Sequence, residues 1–65
     1  MSLGKRIYQY RTENSMSQGD LAERLGVSRQ SISKWETGRA MPDSSIMLEL
    51  CDILKITVND LLSGE

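Results

Sequence analysis

The chain has 65 residues and a net charge of −1 at neutral pH, with 8 Lys/Arg against 9 Asp/Glu. That is one domain, residues 1–65, able to bury only about 60% of its extended surface. A single cysteine and no histidine exclude a disulfide framework and a zinc site built within one chain. No apolar run approaches the roughly 18 residues of a membrane span, and no signal-peptide pattern is present, so the chain reads as cytoplasmic, with no membrane partner.

Leu3, Ile7, Tyr10 and Arg11 are spaced i, i+4, i+7, i+8, which predicts a first amphipathic helix from about Ser2 to Glu13. Lys5 and Arg6 fall near its solvent side. Asn14-Ser15 reads as a turn. Ser17 and Asp20 make a Ser-x-x-Asp capping box at the head of a second helix. Leu21, Ala22 and Leu25 form its apolar face, and Arg24 points outward. Gly26 follows, where a left-handed residue costs least. Ser28 caps a third helix, Ile32 and Trp35 line its inner face, and Gly38 closes it. Hydrophobic staples are expected at both starts, Met16 on Leu21 and Val27 on Ile32. Two capped helices with only three residues of turn between them must cross steeply, which is helix-turn-helix geometry.

The third helix, Ser28–Thr37 in this reading, has two chemically different faces. At about 100° per residue, Arg29, Gln30, Ser33, Lys34 and Thr37 share an arc of roughly 140°. That arc carries two cations, an amide and two hydroxyls, and no carboxylate. These side chains hydrogen-bond to base edges and phosphates, and a helix so decorated fits the major groove of B-DNA. Ser31, Ile32, Trp35 and Glu36 fill the other side. Glu36 is out of place there, as Arg11 is on the apolar stripe of the first helix; the simplest resolution is that they pair.

Asp43 or Ser44 caps a fourth helix running to about Leu54, with Met47, Leu50, Cys51 and Leu54 as its stripe. Cys51 reads as a small buried hydrophobe, since no histidine is present to activate it. Leu48 falls on the polar side, as an exposed leucine or as a dimer contact. Thr57 caps a fifth helix with Asp60 at its third position and an Ile56–Leu61 staple. Val58, Leu61 and Leu62 are expected to close the core, and the helix to end near Ser63. Strand signals are absent.

The charge is unevenly distributed. Residues 1–40 hold seven Lys/Arg against four Asp/Glu, and residues 41–65 hold one against five, giving +3 and −4. A basic half and an acidic half suit a molecule with one face turned to phosphates. The excess is small, so weak non-specific binding and a modest salt slope are expected.

Residues 18–37, QGDLAERLGVSRQSISKWET, resemble the helix-turn-helix of the phage repressor/Cro family, the XRE family of transcriptional regulators. Ala22, Gly26, Ile32 and Trp35 stand where that motif wants a small residue, a glycine, a β-branched residue and a large apolar one. The pattern SQ..LA..LGVS...IS.WE.G...P surrounds them, and the resemblance runs from Leu3 to Leu62. It implies an all-α, compact five-helix bundle of the lambda-repressor-like DNA-binding type, with the helix-turn-helix formed by helices two and three. It also implies the Arg11–Glu36 bridge, a phosphate contact from Gln18, and a phosphate or minor-groove contact from Arg39. Ala40 and Met41 replace basic residues found in the same loop of some relatives, which argues against extended minor-groove contact.

The expected function is sequence-specific binding of double-stranded operator DNA by a bacterial or phage regulator acting as a repressor, not an enzyme. Arg29, Gln30, Ser33 and Lys34 are expected to meet bases; Ser17, Gln18, Ser28, Thr37 and Arg39 are expected to meet phosphates. No cofactor and no metal are expected. One such domain reads few base pairs, so a homodimer on DNA is expected, with a C-terminal effector domain beyond residue 65. The alternative is a protein-interaction or antitoxin-like module that keeps the fold.

Overall fold

The computed structural model describes residues 2–63. They form five helices: α1 Leu3–Glu13, α2 Gln18–Leu25, α3 Arg29–Glu36, α4 Ser44–Leu54 and α5 Val58–Ser63. Ser28 and Thr37 are therefore caps of α3 rather than helical residues. Helix α3 packs on α1 and α2, α5 packs on α1 and α4, and α2 also meets α4.

Every helix contributes to a single core. Ile7, Leu21, Ile32, Leu50, Leu54 and Leu61 are fully buried, joined by Ala22, Leu25, Trp35 and Cys51. Full burial of one such aliphatic side chain contributes about 1.5–3 kcal/mol. Burial raises the Cys51 thiol above its ordinary pKa, consistent with a packing role. Met16 and Val27 pack against the core from the two helix starts, as stapling residues do. Leu48 is exposed, as its position on α4 predicts. Leu62 departs from expectation: it is 54% exposed while Leu61 is fully buried. Adjacent helical residues point about 100° apart, so a single-sided α5 can turn only one of them inward. Arg6 also departs, being half-buried and donating from Nη1 to the Asp60 carbonyl at 3.5 Å, which ties α1 to α5.

The helix starts are fixed by side chains. Ser2, Ser17, Ser28 and Asp43 each accept a backbone N–H three residues on, at 3.2, 3.0, 3.1 and 2.9 Å. Thr57 does the same for Asp60 at 3.0 Å, and the Asp60 carboxylate accepts the Thr57 N–H at 3.0 Å. The Ser17–Asp20 box is closed in both directions. Each cap is worth roughly 1 kcal/mol.

Four helix ends share one stop. At α2, Val27 N–H donates to the Ala22 carbonyl and Gly26 N–H to that of Glu23. Arg39 and Gly38 do likewise to Lys34 and Trp35 at the end of α3. This is the Schellman arrangement, in which the residue after the helix is left-handed. Gly26 and Gly38 take it at φ of 74° and 80°. The ends of α1 and α4 use the same bonds with Ser15 and Lys55 in that position, at φ of 58° and 62°, where a side chain strains the backbone.

Candidate nucleic-acid interface

The position of α3 is set at its C-terminal end. Glu36 accepts from Arg11 at both carboxylate oxygens, from Nε at 2.7 Å and from Nη2 at 3.1 Å. The two side chains are only 9% and 7% exposed. The third guanidinium nitrogen, Nη1, donates to the Met16 carbonyl at 2.8 Å, and the Tyr8 ring lies 5.1 Å from the guanidinium carbon. The hydrogen bonds to Glu36 push the Arg11 pKa above its ordinary value. All three faces of a fixed, planar donor are therefore used. This pair joins α1, the α1–α2 turn and the tail of α3.

Gly4 completes the seat, a role the sequence pattern alone does not expose. A Cβ on Gly4 would lie 2.5 Å from the carbonyl oxygens of both Trp35 and Glu36. Any side chain there forces α1 off the end of α3. A glycine inside an amphipathic helix is the one sequence signal that marks such a close approach.

With its inner face anchored, α3 exposes Arg29, Gln30 and Lys34 to solvent and leaves Ser33 half-buried between them. Gln30, Ser33, Lys34 and Arg39 line one shallow, open depression of about 360 Å³. The structure thus brings three of the four expected base readers together with Arg39. Arg29 stands at the other end, at the first turn of α3. Its Cδ comes within about 4.0 Å of the place a Gly19 Cβ would occupy, so its stem leans toward the start of α2.

The expected phosphate contacts differ in readiness. Ser17 accepts the Asp20 N–H through Oγ, and its side chain also helps hold the Asp20 carboxylate ionised. Ser28 caps α3 and shares a hydroxyl contact of 3.1 Å with Ser31. Thr37 donates its proton to the Ser33 carbonyl at 3.0 Å and is 3.3 Å from that of Lys34. Arg39 is exposed. Gln18 is half-buried and donates from Nε2 to Glu36 Oε1 at 2.9 Å. Asp20 sits beside these groups, and the Ser17 backbone N–H holds its carboxyl below the ordinary 3.8. Among the described residues no cluster of His, Cys, Asp and Glu is arranged to hold a metal ion, and no helix is long and apolar enough to cross a membrane.

The Helix-turn-helix family matches this sequence over residues 7–61. The chain is 38% identical, over all 65 of its residues, to the HTH-type transcriptional activator BcrR of Enterococcus faecalis, of which it covers 32%. Its fold superposes on the P22 c2 repressor in complex with a synthetic operator with a TM-score of 0.94 and 31% identity, covering 100% of this chain and 98% of that one. The regulator of biofilm formation SinR, in complex with DNA, matches with a TM-score of 0.85 and 33% identity over 92% of this chain and 97% of that one. The chain spans between about a third and just over half the length of the curated relatives it matches.

Proposed function

This chain belongs to the helix-turn-helix family, and on that premise we propose that it is the DNA-binding domain of a transcriptional regulator, with α3 laid in the major groove. The observation that carries the reading is the outer row of α3. Arg29, Gln30, Ser33 and Lys34, with Arg39 beside them, offer cations, an amide and a hydroxyl and no carboxylate. Gln30 pairs with adenine N6 and N7, or donates to guanine. Lys34 and Arg29 reach guanine O6 and N7 or a phosphate, and Ser33 makes a shorter contact. Each bidentate pair discriminates by ~1–3 kcal/mol. Ser17, Gln18, Ser28 and Arg39 fix the register on the sugar-phosphate chain. Thr37 joins them only on turning its hydroxyl away from the Ser33 and Lys34 carbonyls.

Two copies are needed to read a useful length of sequence, so the bound state is a homodimer on half-sites about one helical turn apart. Bound across a promoter, it represses by excluding polymerase, and the same contacts also allow activation. The domain works in the cytoplasm, and the curated relatives it matches are longer than this chain. The protein-interaction reading is weaker: Tyr8, Met41, Leu48 and Leu62, the large exposed hydrophobic residues among those described, all lie off α3.

Selection of duplexes from a random pool tests the proposal. Enrichment of a palindrome bound at least ~10³-fold tighter than a scrambled control supports it. Absence of any enriched sequence, for the domain and for a tandem fusion of two copies alike, contradicts it.

A further inference from the structure

The Arg11 fork alone satisfies the charge of Glu36, so the third donor on that carboxylate calls for its own explanation. Glu36 Oε1 takes the Gln18 amide at 2.9 Å in addition to Arg11 Nη2 at 3.1 Å. Gln18 is the first residue of α2, a position that is otherwise free to swing into solvent. A carboxylate only accepts hydrogen bonds, so it fixes which end of the amide faces it. One amide N–H is thereby held, at the start of a helix whose first backbone N–H groups have no partner inside it.

We infer that Glu36, besides pairing with Arg11, is a positioning residue for Gln18: the core ion pair sets how strongly α2 grips the DNA backbone. This inference rests on the DNA-binding reading above. It has a physical consequence. The group that seats α3 against α1 also pre-orients a phosphate donor on α2, so the recognition helix and its backbone anchor are held in one geometry by one carboxylate. Pre-orientation raises affinity by removing ordering that binding would otherwise impose.

A mutant cycle on a scrambled duplex, which registers backbone contacts without base readout, tests the coupling. Gln18→Ala is expected to weaken binding about tenfold, the scale of one hydrogen bond to a charged group. Replacing the ion pair with Arg11→Met/Glu36→Met removes both charges together, which folded proteins commonly tolerate. That variant, its fold verified by circular dichroism, is expected to lose a similar factor, and adding Gln18→Ala to it is expected to lose nothing more. Glu36→Asp supplies a second route: it keeps the charge beside Arg11 and withdraws the oxygen from Gln18, with the same expected loss. The Gln18 side-chain amide protons, resolved by NMR without DNA, are expected to be shifted from the free-glutamine position in the parent and to return to it in both variants. Losses that multiply independently, or unshifted Gln18 amide protons in the parent, overturn the inference and leave DNA binding intact. A parent that binds no duplex overturns the DNA-binding reading and this inference with it.

Discussion

The inner and outer faces of α3 obey different rules. Inside, Ile32 and Trp35 are packed, Glu36 is paired, and the backbone touches Gly4. Outside, Arg29, Gln30 and Lys34 are exposed and belong to no part of the core. The inner face therefore determines where the helix lies, and the outer face determines what it meets. Substitutions on one side should change stability and leave the sequence preference alone; substitutions on the other should do the reverse.

The largest effect is expected inside. Arg11→Ala strands the Glu36 carboxylate, and breaking a buried pair in this way costs about 3–5 kcal/mol. Urea denaturation should register it, and a midpoint equal to the parent's would remove the pair from the account. Gly4→Ala comes next. Two backbone carbonyls block the new methyl group, so α1 must shift, and the expected cost is about 1–3 kcal/mol, as in other overpacked sites.

On the outer face, Gln30→Ala should leave the denaturation midpoint unchanged and relax the preference at one base position by ~1–3 kcal/mol. A uniform loss on all duplexes would mean that Gln30 touches only backbone. Gly19→Ala sharpens the boundary between the faces. A Cβ there meets nothing closer than 3.7 Å, so alanine should stabilise α2 by about 0.5–1 kcal/mol. If that variant also binds DNA less tightly, the bare backbone at Gly19 belongs to the interface.

The smallest effect is the acid response. Capping hydrogen bonds lower the carboxyls of Asp20 and Asp43 from their ordinary 3.8, through the Ser17 backbone N–H in one case and that of Ile46 in the other. A carboxyl with a lowered folded-state pKa stabilises the fold above its unfolded pKa. That stability is lost as pH falls through the folded value. Thermal midpoints should therefore fall below about pH 4, less steeply in Asp20→Asn and Asp43→Asn.

The elements that could be read from the sequence are those with local causes. The serine, aspartate and threonine caps, the glycine ends of α2 and α3, and the apolar stripes each act within one or two turns, and the helices fall where these signals place them. The Arg11–Glu36 pair was legible because two charges stood on apolar faces. What escaped depends on neighbours far along the chain. Ser15 and Lys55 take left-handed conformations that their own chemistry does not favour, because the chain must reverse there. Gly4 matters only because Trp35 and Glu36 arrive beside it. Leu62 is exposed because α5 turns only one of its two adjacent leucines inward, and Arg6 is half-buried because α5 arrives beside it. The base and phosphate contacts of the outer row rest on chemistry alone, since nothing in an exposed side chain's spacing says what it will touch.

Titration of the selected duplex into isotope-labelled protein, followed by NMR, tests the central claim most directly. The largest chemical-shift changes are expected at Ser17–Asp20, Ser28–Lys34 and Thr37–Arg39, and any smaller second set marks the contact between the two copies. Changes centred on α4 and α5, with the outer row of α3 unperturbed, would contradict it.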